Sequence, residues 1–179
     1  FVTFAAASGA HGPYQTVPFG GRERALGTNP FAWAIPRAGG EPPILLDYAT
    51  SAVARGKLLV ARDAGKPVPE GWIIDRDGLP TTDVEGFFGG GALLPFAGHK
   101  GYAMSVIVEM LAVGLSNGQR TPPDGQDSCL FVACFAPSAF VGADDFARGI
   151  ARIATRLEEQ QPAEGFEAVL LPGEPETIS

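Results

Sequence analysis

Glycine and proline interrupt this chain so often that few of its apolar runs can grow beyond a short strand. The 179 residues hold 24 glycines and 16 prolines, roughly twice the usual combined share. No collagen-type period organises them, and hydrophobic residues still make up 45% of the chain. That apolar fraction excludes a disordered chain, since enough surface can be buried to offset the entropy of ordering. The pattern predicts short elements joined by many turns, with glycines where the backbone must bend or approach a neighbour closely.

Two stretches escape the interruption and read as helices. In the first, Met104, Ile107, Val108, Leu111, Ala112 and Leu115 recur at helical spacing. Val106, Met110 and Val113 are apolar off that stripe, so the helix is expected to be buried on most sides and to end at Gly118. In the second, Phe146, Ile150, Ile153, Ala154 and Leu157 form one face and Arg148, Arg152 and Arg156 the other. Asp144 and Asp145 stand at its start, where the helix dipole favours negative charge. A third helix is expected to run to about Ala64, capped by Thr50 or Ser51 and closed by Gly65.

Strands are expected at Phe1–Ala7, Phe31–Pro36, Ile44–Tyr48, Cys129–Phe135 and Ala168–Leu171. Lys66–Pro95 is rich in Gly, Pro and Asp and reads as a long irregular connection, with Trp72 as a core anchor. Helices and strands mix without a regular βαβ beat, so the fold class is α/β or α+β. Cys129 and Cys134 are five apart on one strand, which sends them to opposite faces and prevents their pairing. Two reduced, buried thiols in a cytoplasmic protein is the expectation.

The net charge of −7 argues against nucleic acid or an anionic membrane surface as a partner. No apolar run approaches the roughly 20 residues that span a bilayer. The two histidines, His11 and His99, have no partner at metal-ligand spacing, so no metal site is expected. Gly89-Gly90-Gly91 is followed by Leu93-Leu94-Pro95 rather than a helix start, which rejects the dinucleotide fingerprint there. The clearest anion candidate is Gly98-His99-Lys100-Gly101, directly before a helix whose N-terminus would present N–H groups and partial positive charge. The same spacing suits a solvated turn, and the residues alone leave both open. Asp47, at the end of an apolar strand, suits either a pair of ribose hydroxyls or a helix cap. Thr28-Asn29 before Pro30 reads as an Asx-type turn, and His11 as a loop histidine with weak acid–base potential.

Taken in order, these segments resemble the malate/L-lactate dehydrogenase family. The residues that carry the likeness are Pro18-Phe19-Gly20-Gly21, Gly27-Thr28-Asn29-Pro30, Leu46-Asp47-Tyr48-Ala49-Thr50-Ser51 and Ala54-Arg55-Gly56-Lys57. They continue through Pro69-Glu70-Gly71-Trp72, Asp75, Asp77-Gly78, Thr81-Thr82-Asp83, Gly98-His99-Lys100-Gly101-Tyr102 and Pro172-Gly173-Glu174. The resemblance implies a non-Rossmann cofactor domain with a largely antiparallel sheet flanked by helices, and a homodimer. It implies NAD or NADP as cofactor and reversible hydride transfer at the alpha carbon of a 2-hydroxy or 2-keto acid, or of a cyclic imino acid. Asp47, Tyr48, Ala49, His99, Lys100, Pro172, Gly173 and Glu174 resemble the family's cofactor contacts, and Thr28 and Asn29 fall on the substrate side.

The likeness also has gaps. The family's catalytic His and its carboxylate-gripping Arg belong to a helical portion upstream of the position of Phe1, so no catalytic residue is assigned here. The chain is read as N-terminally truncated and inactive alone. Where the family places a cofactor-binding Ser, this sequence has Gly12, followed by Pro13, which leaves a backbone contact only. Residues 1–160 are expected to form the NAD(P)-binding domain and 161–179 a tail packing on the upstream helices. Arg55, Arg62 and Lys66 are candidates for a 2′-phosphate. The competing reading is a non-catalytic nucleotide-binding or assembly module that keeps the fold.

Overall fold

The computed structural model describes residues 1–8, 14–116 and 129–175. His11, Gly12, Pro13 and Gly118 lie outside the described residues. The chain divides into two units. The first takes Phe1–Ala5, Ala32–Asp47 and Val132–Ser179, and the second Ala6–Phe31 and Tyr48–Phe131.

Four strands, β1 (Val2–Ser8), β2 (Phe31–Ile35), β3 (Ile44–Tyr48) and β7 (Cys129–Phe135), form a sheet ordered β3-β2-β1-β7. In the first unit, Phe4 lies on Trp33 with ring centroids 4.7 Å apart, and Trp33 stacks on Phe135 at 6.3 Å. Helix α4 (Ala143–Glu158) carries Asp144 and Asp145 in its first turn, as the dipole favours. Ala154 is its buried contact, while Ile153 and Leu157, on the same apolar stripe, keep substantial exposure. Only Cys129 is buried; Cys134 is exposed. The expectation of two buried thiols is corrected by the pleat itself, which turns residues five apart to opposite faces. Ala168–Leu171 is not a strand. The Leu171 N–H donates to the Glu174 carboxylate at 2.7 Å, and Glu174 N–H donates back to the Leu171 carbonyl, so a local turn takes the place of a sheet ladder.

The second unit is organised by the segment read as irregular. Strands β4 (Ile73–Ile74), β5 (Pro80–Thr81) and β6 (Ala92–Leu93) form an antiparallel sheet in which Ile73 faces Thr81 on one side and Leu93 on the other. Two-residue strands are too short to show a period, which is why the pattern hid them. Helices α1 (Arg55–Asp63) and α2 (Val84–Phe88) close over them, and Val53, Leu58, Val68, Ile73, Val84, Phe87 and Leu93 form one buried cluster. Trp72 packs half-buried against it, as an anchor should. Asp83 caps α2 by accepting from the Glu85 N–H. Gly91 is required because a Cβ there would lie 1.9 Å from the Ile74 carbonyl oxygen.

Two helix expectations change. Helix α1 begins at Arg55 with no side-chain cap, because both proposed caps are engaged elsewhere. Thr50 Oγ1 donates to the Thr28 carbonyl and Ser51 Oγ to the Val53 carbonyl. Helix α3 (His99–Glu109) passes into a π-helical turn, Met110–Gly114. It is not buried on most sides: Gly101, Ser105, Val108 and Ala112 face inward, while Met104, Ile107, Met110 and Leu115 are exposed. Small residues let the helix approach its neighbours, and the larger ones are left outside.

Candidate functional site

The expected cofactor residues fall into two groups, one in each unit. In the first unit, the Leu45 N–H donates to the Pro172 carbonyl at 2.9 Å, which sets the tail beside β3. Gly173, at φ +99°, is needed there because a Cβ would meet Leu45 atoms at 3.0–3.3 Å. Its close backbone approach is therefore made to β3. Arg37 reaches Glu158 at 3.3 Å and Glu174 at 3.8 Å, so the Glu174 carboxylate serves both the Leu171 N–H and an ion pair. These residues line a cavity of about 510 Å³ walled by Arg37, Ile44, Leu45, Leu171, Pro172 and Glu174. Asp47, nearby in β3, is exposed. It does not cap a helix, since α1 begins eight residues later.

In the second unit, Tyr48 stands edge-on to Phe31 at 4.8 Å and to Phe96 at 5.5 Å. Phe96 is bound to the Tyr48-Ala49-Thr50 segment through its N–H, which donates to the Thr50 carbonyl at 3.0 Å. Two residues further on, Gly98 caps α3 with φ +62° and no side-chain hydrogen bond. The N–H groups at this helix start are not left as an unpaired row. Instead Gly101 N–H donates to the Phe96 carbonyl, Lys100 N–H to the Ala97 carbonyl and Tyr102 N–H to the Gly98 carbonyl. The two flanking glycines serve packing as well: a Cβ on Gly101 would lie 2.1 Å from the Phe96 oxygen, and one on Gly98 3.3 Å from the Phe19 ring. What remains for an anion is the exposed ammonium of Lys100, the positive end of the helix, and His99, which is exposed and edge-on to Phe19 at 5.8 Å.

The Thr28-Asn29 turn is held by long-range contacts. The Thr28 carbonyl accepts from Thr50 N–H at 2.8 Å and Thr50 Oγ1 at 3.0 Å. Asn29 is fully buried at φ +40°, and its Nδ2 donates to Glu109 Oε2 at 2.7 Å and to the carbonyl and Oγ of Ser105, each at 3.1 Å. Glu109 also accepts from Ser8 Oγ at 3.0 Å. No local motif marks Glu109, Ser8 or Ser105. The available signal was that Glu109 is the one charged residue between Gly101 and Leu115, and a carboxylate in an apolar helix requires partners.

Of the cations considered for a 2′-phosphate, Arg62 is ion-paired to Glu85 at 2.7 Å and covers the Phe88 ring. Arg24 donates to the Gly91 and Phe87 carbonyls and lies over the Phe87 ring. Burial, and secondarily the charge of Arg55, lower its pKa from the usual arginine value. Its work is structural: it ties α2 and the Gly91 turn together.

The sequence profile of the malate/L-lactate dehydrogenase family matches residues 3–179. The chain is 43% identical over 169 residues to an L-lactate dehydrogenase of Cupriavidus necator, covering 90% of this chain and 48% of that protein. Its structure is similar to the sulfolactate dehydrogenase of Methanocaldococcus jannaschii, with a TM-score of 0.81 and 34% identity over 99% of this chain and 52% of the other. The delta1-piperideine-2-carboxylate reductase of Pseudomonas syringae pv. tomato gives a TM-score of 0.76 at 34% identity, again over 99% of this chain and 53% of the other. The chain spans about half the length of the curated relatives it matches.

Proposed function

Because the chain belongs to the malate/L-lactate dehydrogenase family, we propose that it supplies the nucleotide-holding part of an NAD(P)-dependent oxidoreductase. The observation that carries this reading is the joining of Tyr48-Ala49-Thr50, through Phe96, to the start of α3, which bears the exposed Lys100. Tyr48, Ala49, His99 and Lys100 would hold the cofactor from this unit. Asp47 would take ribose hydroxyls, and Pro172 and Gly173 would contribute backbone, with Glu174 holding their turn. Within the second unit, an exposed ammonium suits phosphate and an aromatic edge suits a ring; within the first, an exposed carboxylate suits hydroxyls. Gly12 is proposed to add a backbone contact. The bound nicotinamide would supply hydride exchange with the substrate's alpha carbon.

The relatives' names point to a shared substrate chemistry. Lactate, sulfolactate, malate and the cyclic imino acids all carry a carboxylate beside the carbon that gains or loses hydride. We therefore propose a 2-hydroxy/2-keto acid or a cyclic imino acid as substrate. Thr28, half-buried at its turn, is the substrate-side candidate of this chain, and Asn29 acts from behind it because its side chain is fully buried. The general acid and the cation for the substrate carboxylate are proposed to come from outside these residues. A cytoplasmic homodimer is proposed; no helix among the described residues is long and apolar enough to cross a membrane.

The test is a fluorescence titration of NADH and NADPH against the chain and its Lys100→Ala variant. Loss of a charge-assisted contact is expected to weaken binding by about 1–3 kcal/mol, or roughly 5- to 150-fold. Equal affinity in the variant removes Lys100 from the site. Reduction of a panel of 2-keto and cyclic imino acids by the full-length gene product then separates an enzyme from a module that only binds.

A further inference from the structure

The second unit contains one polar node that the nucleotide contacts do not use. Asn29 takes φ +40°, in the left-handed region that side chains rarely adopt although asparagine tolerates it best, and it does so directly before Pro30, which restricts its backbone further. Such a residue persists only where its surroundings over-determine it. Here the side-chain nitrogen has two hydrogens for three acceptors. The 2.7 Å contact to Glu109 takes one, and the carbonyl and hydroxyl of Ser105 share the other at 3.1 Å. Ser8 at the end of β1 adds its hydroxyl to the same carboxylate oxygen. Ser8, Asn29 and Ser105 are buried, and Glu109 is the only charged member among these four. Directly after Glu109 the helix changes from α to π, an irregularity that recurs where function fixes a side chain.

Hydrogen bonds link the node to residues of the proposed site. Asn29 fixes the turn whose Thr28 carbonyl receives the Thr50 N–H and hydroxyl. Thr50 in turn receives Phe96, whose ring meets Tyr48 and which leads to Gly98 and Lys100. Glu109 is nine residues along α3 from Lys100, about 14 Å at the helical rise, so it reaches the nucleotide residues only through this stack. We propose that Glu109 is a positioning residue of the nucleotide site: its carboxylate locks the strained Asn29 turn against α3, and through Thr28 and Thr50 it sets Tyr48 and the start of α3 in register. This rests on the nucleotide-binding reading above.

The experiment is a double-mutant cycle on the full chain, with NADH affinity measured by fluorescence well below the unfolding temperature and Tm measured alongside. Glu109→Ala is expected to weaken NADH by about tenfold, and Glu109→Gln by less than about threefold, because the amide oxygen replaces the lost acceptor. Asn29→Gly suits the backbone without strain yet lacks the amide, so it folds and is expected to match Glu109→Ala. The double variant Asn29→Gly/Glu109→Ala is expected to lose about tenfold in all, not a hundredfold, since both changes break one contact. Additive losses, or variants with lowered Tm and unchanged affinity, overturn the positioning role. If Glu109→Ala does not fold, the affinity of Asn29→Gly decides: wild-type affinity there overturns the proposal and a tenfold loss supports it. Wild-type chain that binds neither NADH nor NADPH overturns the nucleotide reading itself, an outcome distinct from a binding wild type with indifferent variants.

Discussion

Val68–Leu93 and helix α3 belong to the same unit and bury themselves by opposite means. The first turns large side chains inward: Ile73, Phe87 and Leu93 are at most 2% exposed, around strands only two residues long. The second, with the π-helical turn that follows it, turns small ones inward, Gly101, Ser105 and Ala112 with Val108, and leaves Met104, Ile107 and Met110 outside. In the first region dispersion and water exclusion by big residues hold the backbone. In the second, close backbone approach and a buried polar node hold it. The difference separates roles. Val68–Leu93 is a stability element, whereas α3 is a positioning element whose start carries the proposed nucleotide residues and whose end carries Glu109.

The largest expected effect lies in the first region. Phe87→Ala removes a ring that packs in the buried cluster, meets Phe88 edge-on and lies under Arg24. It is expected to cost about 3–5 kcal/mol in chemical denaturation, the range for truncating a buried aromatic. A loss below about 1 kcal/mol would erase the contrast, because the cluster would then not be what stabilises this unit.

Next comes a change that tests close approach. Gly101→Ala puts a methyl 2.1 Å from the Phe96 carbonyl oxygen, and backbone there cannot swing aside as a side-chain tip does. Overpacking of this kind is expected to cost about 1–3 kcal/mol. It is also expected to weaken NADH, since Phe96 links Tyr48 to the start of α3. Denaturation and nucleotide titration on one sample read both. An alanine that lowers neither would show that α3 does not depend on its small face.

These two regions also mark what the sequence let a reader see. The strand Ile44–Tyr48, with Asp47 near its end, stood out because an apolar run stopped by a carboxylate is a local pattern. Strand β7 matches residue for residue because Cys129–Phe135 is an unbroken apolar run that ends just before Ala136-Pro137. Strands β4, β5 and β6 were hidden because a two-residue strand has no period to show. In α3 the spacing of apolar residues marked a helix correctly, yet apolar residues lay on every side, so the pattern held no information on which side faced inward. The Gly98–Gly101 start was legible as a place of close approach, but the approaching groups are Phe96 and Phe19. The Asn29–Glu109 contact joins residues eighty apart, and long-range hydrogen bonds leave no local spacing to read.

The smallest effect closes the comparison from the exposed side. Ile107 and Val108 are neighbours in α3, the first 50% exposed and the second fully buried. Deleting methyl groups from Val108 leaves a cavity in packed surroundings, so Val108→Ala is expected to cost about 1–3 kcal/mol. Ile107→Ala removes more carbon but from a half-solvated position, and alanine is the better helix former, so its cost is expected below about 0.5 kcal/mol. The order of the two losses therefore runs against side-chain size. Measured by denaturation at two protein concentrations, a loss for Ile107→Ala as large as that for Val108→Ala would mean that this side of α3 is covered in solution. A loss that appears only at the higher concentration would identify the cover as a second copy of the chain, because only association responds to concentration.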